Sequence, residues 1–169
     1  IPSPVLSEMT GHEILLKPEN LQVTGSFKIR GAYNKIASLS DEQLAHGIVT
    51  ASAGNHAQGV AYAARERGAK ATICMPQITP PLKVDATKAY GADVVLCGEV
   101  FDESAAHAQE LSDTEGMIYV PPFDDYEVLC GQGTIGLEIL EDVPNVTDVV
   151  VPLGGGGLGA GVALAIKTF

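Results

Sequence analysis

The order of apolar and polar positions along this chain predicts short strands that alternate with helices. The strands are expected where short apolar or β-branched runs end in glycine, proline or a polar turn. They are Ile14–Lys17, Ile48–Ser52, Ala71–Met75, Asp93–Leu96, Met117–Val120 and Asp148–Val151. The predicted helices are a first one capped by Ser26 that runs through Ala32 and Ile36 to Leu39, then His56–Arg67, Pro81–Tyr90, Phe101–Glu115, Gly131–Leu140 and a last one after Gly157. This alternation is typical of a parallel sheet covered by helices.

Composition narrows the class of protein. The chain has 169 residues, of which 46% are hydrophobic, so it can bury a core as one domain or two small ones. Its formal net charge of -11, without any lysine- or arginine-rich run, argues against nucleic-acid and anionic-membrane partners. No apolar stretch is long enough to span a membrane, and the start lacks a signal-like run, which predicts a cytoplasmic protein. The expected partners are small molecules or further copies of the chain.

The cysteines predict no metal centre. Cys74, Cys97 and Cys130 are odd in number and widely spaced, and no histidine or cysteine follows any of them at metal-ligand spacing. Reduced, mostly buried thiols are therefore expected. The missing initiator methionine and the end at Phe169, inside a predicted helix, suggest a piece of a longer chain.

Lys28 is the first candidate for chemistry. It falls in the first turn of the helix that Ser26 caps, where the positive end of the helix dipole disfavours an ammonium ion. A positive potential or desolvation lowers a lysine's pKa and favours the neutral amine that a nucleophile needs to form a Schiff base with a carbonyl cofactor. The alternative is an ordinary lysine whose flexible stem reaches into water.

The run Gly154-Gly155-Gly156-Gly157-Leu158 is the second candidate. It follows a predicted strand and opens a helix, so its backbone amides can converge on a phosphate. A plain tight turn is the alternative, but successive glycines cost conformational entropy that such a turn does not require. The run also fits G-x-G-x-x-G, although the acidic ribose ligand expected about twenty residues further on would lie beyond the chain.

The turn Ser52-Ala53-Gly54-Asn55-His56 joins a predicted strand to its helix and is the third candidate. Amides at such a helix start can bind a carboxylate. Asn55 as a left-handed turn residue and His56 as an ordinary helix-start histidine are the alternatives. A nucleophilic lysine, a phosphate cradle and a second anion-binding turn are together what a phosphorylated aldehyde and an amino acid would need.

These segments closely resemble the fold-type II pyridoxal-phosphate enzymes, specifically the threonine/serine dehydratases (threonine ammonia-lyases) and the serine racemases. The resemblance covers essentially the whole chain. It lies in Leu16-Lys17-Pro18-Glu19-Asn20, the nine residues from Thr24 to Ala32, the eight from Ser52 to Gly59, Gly131-Gln132-Gly133-Thr134 and the glycine run.

The resemblance implies site roles. Lys28 would hold pyridoxal 5'-phosphate as a Schiff base, Phe27 would pack beside its ring, and Asn55 would hydrogen-bond the ring hydroxyl. Gly154, Gly155, Gly156, Gly157 and Leu158 would bind the phosphate. The turn formed by Ser52, Ala53, Gly54, Asn55 and His56 would receive the carboxylate of an amino-acid substrate.

The resemblance also implies a fold and an assembly. The fold would be α/β and tryptophan synthase β-like, with two open parallel-sheet domains that carry helices on both faces. Residues 51–123 would be the small domain, and residues 1–50 and 124–169 an incomplete large domain joined to it near Pro121-Pro122. A homodimer or homotetramer is expected.

The implied reaction is the elimination of water from L-threonine or L-serine, which gives ammonia and 2-oxobutanoate or pyruvate. Racemases of this type carry a serine just before the Gly-Asn pair, where this chain has Ala53. Alanine cannot transfer a proton, so elimination is favoured over racemisation. A non-catalytic, cofactor-binding fragment of such an enzyme is the third hypothesis.

Overall fold

The computed structural model describes residues 1–169 and contains one sheet of four parallel strands in the order β3-β2-β1-β4. The strands are β1 (Ile48–Ala51), β2 (Ala71–Met75), β3 (Asp93–Leu96) and β4 (Ile118–Tyr119). In the register, Ile48 lies opposite both Ala71 and Ile118. The predicted α/β architecture with a parallel sheet is confirmed.

The helices surround this sheet and extend away from it. They are α1 (Pro4–Thr10), α2 (Lys28–Ala37), α3 (Asp41–Ala45), α4 (Asn55–Glu66), α5 (Pro81–Ala89), α6 (Phe101–Glu115), α7 (Tyr126–Asp142) and α8 (Gly157–Thr168), with a short 3₁₀ turn at Glu19–Leu21. None of them combines the length and the apolar character that crossing a membrane requires.

The side chains of each strand alternate between two faces of the sheet, and different helices cover these faces. Ile48 and Ile73 are fully buried beneath α4, with α2 and α5 in the same apolar cluster. Val49 and Cys74 point to the opposite face, which α6 covers with Ala108. On the first face the helices continue outward, so that α4 contacts α2, α2 contacts α7 and α7 contacts α8.

Two predicted strands do not form. Ile14–Lys17 makes only a single antiparallel bridge, between Leu15 and Pro2, because Pro2 and Pro4 in the facing segment have no N–H to donate to a ladder and Pro18 follows directly after Lys17. The prediction for Asp148–Val151 is also wrong, because no extended segment lies beside it to share hydrogen bonds and Val150 is 97% exposed.

The sequence also missed three helical features. Helices α1 and α3 were not predicted, although Ser40 and Gln43 form a capping box at the start of α3. Helix α7 begins at Tyr126 because the Asp125 carboxylate accepts a hydrogen bond from the Val128 N–H at 3.0 Å.

The predicted division into two domains remains a prediction. The sheet comprises β1 through β4 and therefore begins at Ile48, inside the segment 1–50 assigned to the large domain. Its last strand ends at Tyr119, before the proline pair at which the second joint was placed.

An ion-pair network fixes the first turn of α2 to its surroundings. The Arg30 guanidinium donates to both Glu19 carboxylate oxygens at 2.7 and 2.9 Å, and to both Glu138 oxygens at 2.6 and 2.9 Å. Such forked pairs are shorter and stronger than single neutral hydrogen bonds. Hydrogen bonds from Arg30, opposed by partial burial, lower the pKa of Glu138 from 4.5 to about 2.

We expect Glu138→Gln to lower stability at neutral pH by about 1 kcal/mol, a modest loss because Glu138 is partly exposed and Arg30 keeps Glu19. A carboxyl group whose pKa is depressed by folding stabilises the fold above its unfolded pKa, here 4.5, and loses that contribution as the pH falls through about 2. The free energy of unfolding should therefore change less steeply between these pH values in the variant. Urea denaturation at several pH values in this range measures the free energy of unfolding, and Glu141→Gln, at an exposed position, is the control. The prediction is contradicted if the parent protein and the two variants show the same dependence of this free energy on pH.

Candidate active site

Lys28 lies at the start of α2, as the sequence predicts. Phe27 already has helical dihedral angles, and the Ser26 hydroxyl accepts a hydrogen bond from the Lys28 N–H at 3.3 Å. Although the helix is assigned from Lys28, Ser26 therefore interacts with its first turn as an N-cap residue does. The lysine is held where the helix end is positive.

The Lys28 amine is partly buried among a carbonyl group and two aromatic rings. Its Nζ donates to the Pro122 carbonyl oxygen at 2.5 Å and lies 5.5 Å from the centroid of the Phe27 ring and 5.9 Å from that of Phe123. It forms no ion pair with a carboxylate. Burial lowers the pKa of Lys28, and no neighbouring negative charge opposes this shift.

The glycine run opens α8 and presents unpaired backbone donors. The N–H groups of residues 154–159 have no acceptor within the chain, and the first hydrogen bond of the helix runs from the Ala160 N–H to the Gly156 carbonyl oxygen at 2.9 Å. Gly156 has a φ of 91°, a conformation that other residues rarely adopt. Free N–H groups at the positive end of a helix form an anion-binding site.

Lys28 and the glycine run line the same cavity, which has a volume of about 310 Å³. Phe123 lies between them: a Cβ atom on Gly155 would come within 2.5 Å of its ring, so only glycine permits this packing. The cavity is lined by Phe27, Lys28, Pro122, Phe123, Gln132, Pro152, Leu153 and residues 154–159. The cavity thus brings together seven residues that were predicted to bind the cofactor: Phe27, Lys28, Gly154, Gly155, Gly156, Gly157 and Leu158.

The turn Ser52–His56 does not line this cavity. The Ser52 hydroxyl accepts from the Gly54 N–H at 3.3 Å, and the Asn55 side chain is exposed without a hydrogen bond inside the chain. At the start of α4 the N–H groups of residues 55–57 have no acceptor within the chain. The turn therefore offers a second, separate group of free donors at a helix start.

His56 is buried next to the lysine site. Its Nε2–H donates to the Val120 carbonyl oxygen at 3.0 Å, which leaves Nδ1 as a buried acceptor without a partner. Burial, together with the nearby charge of Lys28, lowers the pKa of His56 to about 4, although the bond to Val120 opposes the shift. The imidazole is therefore neutral at ordinary pH.

Six residues that line the cavity were not predicted to bind the cofactor: Pro122, Phe123, Gln132, Pro152, Leu153 and Gly159. Pro122 was predicted as part of a domain joint and Phe123 as the end of the small domain, yet the segment after β4 supplies the Lys28 acceptor and the ring that packs on the glycine run. Gln132 is 1% exposed and accepts a hydrogen bond from the Gly31 N–H at 3.2 Å. The sequence did contain an indication of this role, because Gln132 is a polar residue between two glycines in an otherwise apolar helix.

The chain matches the family described as "Pyridoxal-phosphate dependent enzyme" over residues 1–168. It is 59% identical over 166 residues to the L-threonine ammonia-lyase of Thermotoga maritima, an alignment that covers 98% of this chain and 41% of that protein. The chain thus spans less than half the length of this relative.

Solved structures of related enzymes superpose closely on this chain. Threonine deaminase isoform 2 from Solanum lycopersicum superposes with a TM-score of 0.97 at 50% identity, over 99% of this chain and 46% of that one. Maize serine racemase superposes with a TM-score of 0.96 at 39% identity, over 99% of this chain and 51% of that one. With the family match extending over nearly every residue, this chain belongs to the pyridoxal-phosphate dependent enzymes.

Proposed function

We propose that this chain carries the lysine half of the active site of a threonine/serine ammonia-lyase, an enzyme that eliminates water from L-threonine or L-serine and then hydrolyses the product to ammonia and a 2-oxo acid. One observation carries the proposal: the desolvated Lys28 amine and the free amides of residues 154–159 line one cavity. The reaction is inferred from relatives whose names are threonine ammonia-lyase and threonine deaminase.

The residues of the cavity fit pyridoxal 5'-phosphate. A Cβ atom built on Gly154 would meet nothing within 4 Å, so open space lies beside the free amides where a phosphate can approach. No carboxylate lines the cavity to repel that phosphate. Gly154, Gly155, Gly156, Gly157 and Leu158 would hold the phosphate, and Phe27 would pack beside the ring.

When bound, pyridoxal phosphate supplies the conjugated electron sink that makes the substrate α-proton removable. Lys28 then acts as the base that takes this proton at Nζ, because burial favours its neutral form. The Pro122 carbonyl oxygen orients the amine, and the Phe27 and Phe123 rings keep water from it. The elimination releases the β-hydroxyl as water, and hydrolysis then gives ammonia and 2-oxobutanoate from threonine, or pyruvate from serine.

The turn of Ser52, Ala53, Gly54, Asn55 and His56 would hold the substrate carboxylate. Support comes from the free N–H groups at the start of α4, which suit an anion. A neutral His56 adds no charge of its own, and its unpartnered Nδ1 can accept a further hydrogen bond. The exposed Asn55 amide is free to bond the hydroxyl of the cofactor ring.

Serine racemisation is the second candidate, because maize serine racemase superposes closely. Ala53 opposes it, since a methyl group cannot deliver a proton to the face opposite the lysine.

An assay with L-threonine, L-serine and D-serine separates the hypotheses when it records 2-oxo acid, ammonia and chirality together. Release of 2-oxo acid and ammonia supports elimination, rapid interconversion of the serine enantiomers without 2-oxo acid supports racemisation, and cofactor binding without turnover supports a non-catalytic fragment.

We expect Gly154→Ala to weaken pyridoxal-phosphate binding by about tenfold or more, because the new methyl group would occupy the open space beside the free amides. Nothing in the protein itself contacts this methyl group, so the melting temperature of the cofactor-free protein should not change. Fluorescence titration measures the affinity and calorimetry the stability. Unchanged affinity would remove Gly154 from the phosphate site.

We also propose that the complete protein assembles as a homodimer or homotetramer in the cytoplasm. The small domain would span residues 51–123, with the flanking segments contributing to a large domain. Leu153 and Val150, 79% and 97% exposed next to the glycine run, are the apolar surface that further protein would cover.

A further inference from the structure

Three potential metal ligands meet on the face of the sheet that α6 covers. Cys74 lies in β2, Cys97 directly follows β3, and His107 lies on α6. One ligand atom from each lies within 4.8 Å of those of the other two. None of the three lines the cavity of Lys28, so this cluster is distinct from the proposed active site.

The fold explains why these residues meet. In the β2–β3 register Cys74 lies opposite Val95, and Cys97 is two residues beyond Val95, so all three side chains point to the same face. Cys74 is fully buried there, whereas Cys97 is partly accessible. The His107 side chain is 36% exposed at the edge of α6, which leaves a path for a solvated ion.

A carboxylate orients the imidazole. His107 Nδ1 lies 3.1 Å from the Glu110 carboxylate, three residues further along α6. When Nδ1–H donates to this carboxylate, the lone pair of Nε2 is available to a metal. Metal-bound histidines characteristically have such a carboxylate or carbonyl partner, which fixes the tautomer and raises the basicity of the ligating nitrogen.

We propose that Cys74, Cys97 and His107 bind a borderline-soft divalent cation of the Zn²⁺ class, with water in the fourth position. Two thiolates and an imidazole are ligands that Zn²⁺ prefers over the oxygen ligands of Mg²⁺ or Ca²⁺. Tetrahedral ligands at Zn–S and Zn–N distances of about 2.3 and 2.0 Å lie less than about 4 Å apart, so ligand atoms that are all within 4.8 Å of one another need to approach by no more than about 1 Å. The bound ion would link β2, β3 and α6.

The charge balance favours a dication. Binding one M²⁺ displaces a proton from each thiol and gives a centre in which two thiolates neutralise the ion. Two unpaired thiolates on this buried face would be far less favourable.

Cobalt titration of the reduced protein tests the proposal without reference to turnover. Co²⁺ in a tetrahedral thiolate site absorbs in the red part of the visible spectrum, away from pyridoxal phosphate. We expect one equivalent of Co²⁺ per chain to produce this band and Zn²⁺ to displace it. His107→Gln changes a partly exposed side chain and should abolish the band or weaken Co²⁺ affinity at least about 100-fold, and Cys97→Ser should do the same.

Matched variants separate this site from accidental binding. Cys130→Ser, on α7, should leave the Co²⁺ band intact. Glu110→Gln should weaken Co²⁺ binding by about 10- to 100-fold while keeping the band's shape, because it replaces the charged acceptor of the imidazole by a weaker, neutral one and leaves all three ligands in place. The proposal is wrong if the reduced protein shows no band, if the Cys97→Ser/His107→Gln double variant binds Co²⁺ as the parent does, or if Cys130→Ser removes the band.

Discussion

Replacing Lys28 with alanine is expected to abolish the visible absorption of the bound cofactor and to reduce ammonia release from L-threonine by at least about 10³-fold. The variant removes the only amine in the cavity, and with it both the covalent attachment and the proton acceptor. Absorption spectra and a coupled ammonia assay measure the two effects.

The fold should survive this change. The Lys28 amine makes a single hydrogen bond, to the Pro122 carbonyl oxygen, and alanine is a strong helix former, so we expect stability to change by about 1 kcal/mol or less. Lys83→Ala, an exposed lysine on α5, is the matched control and should leave absorption and turnover unchanged. Wild-type absorption in Lys28→Ala would exclude this lysine as the attachment site.

Gly131→Ala is expected to destabilise the fold by about 3 kcal/mol, because it adds a methyl group where two helices touch through their backbones. A Cβ atom on Gly131 of α7 would lie 2.5 Å from the Arg30 carbonyl oxygen and 2.6 Å from the Gly31 Cα on α2. Backbone atoms cannot rotate away as a side chain can, so α2 must shift. Because α2 carries Lys28, the affinity for pyridoxal phosphate should fall as well.

Chemical denaturation of the cofactor-free protein measures the stability effect. Gly159→Ala is the control: it also replaces a helical glycine, but the added methyl group meets only the flexible Leu153 side chain, at 3.2 Å. This variant should keep or slightly raise stability through helix propensity. Equal denaturation midpoints for the two variants would show that the α2–α7 contact has room for a methyl group.

Strands β2 and β3 and helix α6 have the predicted bounds, because each is a local pattern closed by a local signal. The run Ala71–Met75 ends at Pro76, and α6 ends at Gly116, whose φ of 72° only glycine adopts easily. The predicted strand Asp148–Val151 fails for the opposite reason. A strand is stable only beside a partner, and its sequence contains no information about whether one is present.

The sequence by itself determined the α/β class, the family resemblance, the candidate lysine and the glycine run, since helix periodicity, capping and glycine conformation act over a few residues. Only the tertiary structure decided which of these residues meet. It brought Lys28 to the glycine run across Phe123, left the Ser52–His56 turn outside that cavity, and assembled Cys74, Cys97 and His107 from three elements. Contacts between residues far apart in the chain depend on strand register and helix packing, which spacing along the sequence does not contain.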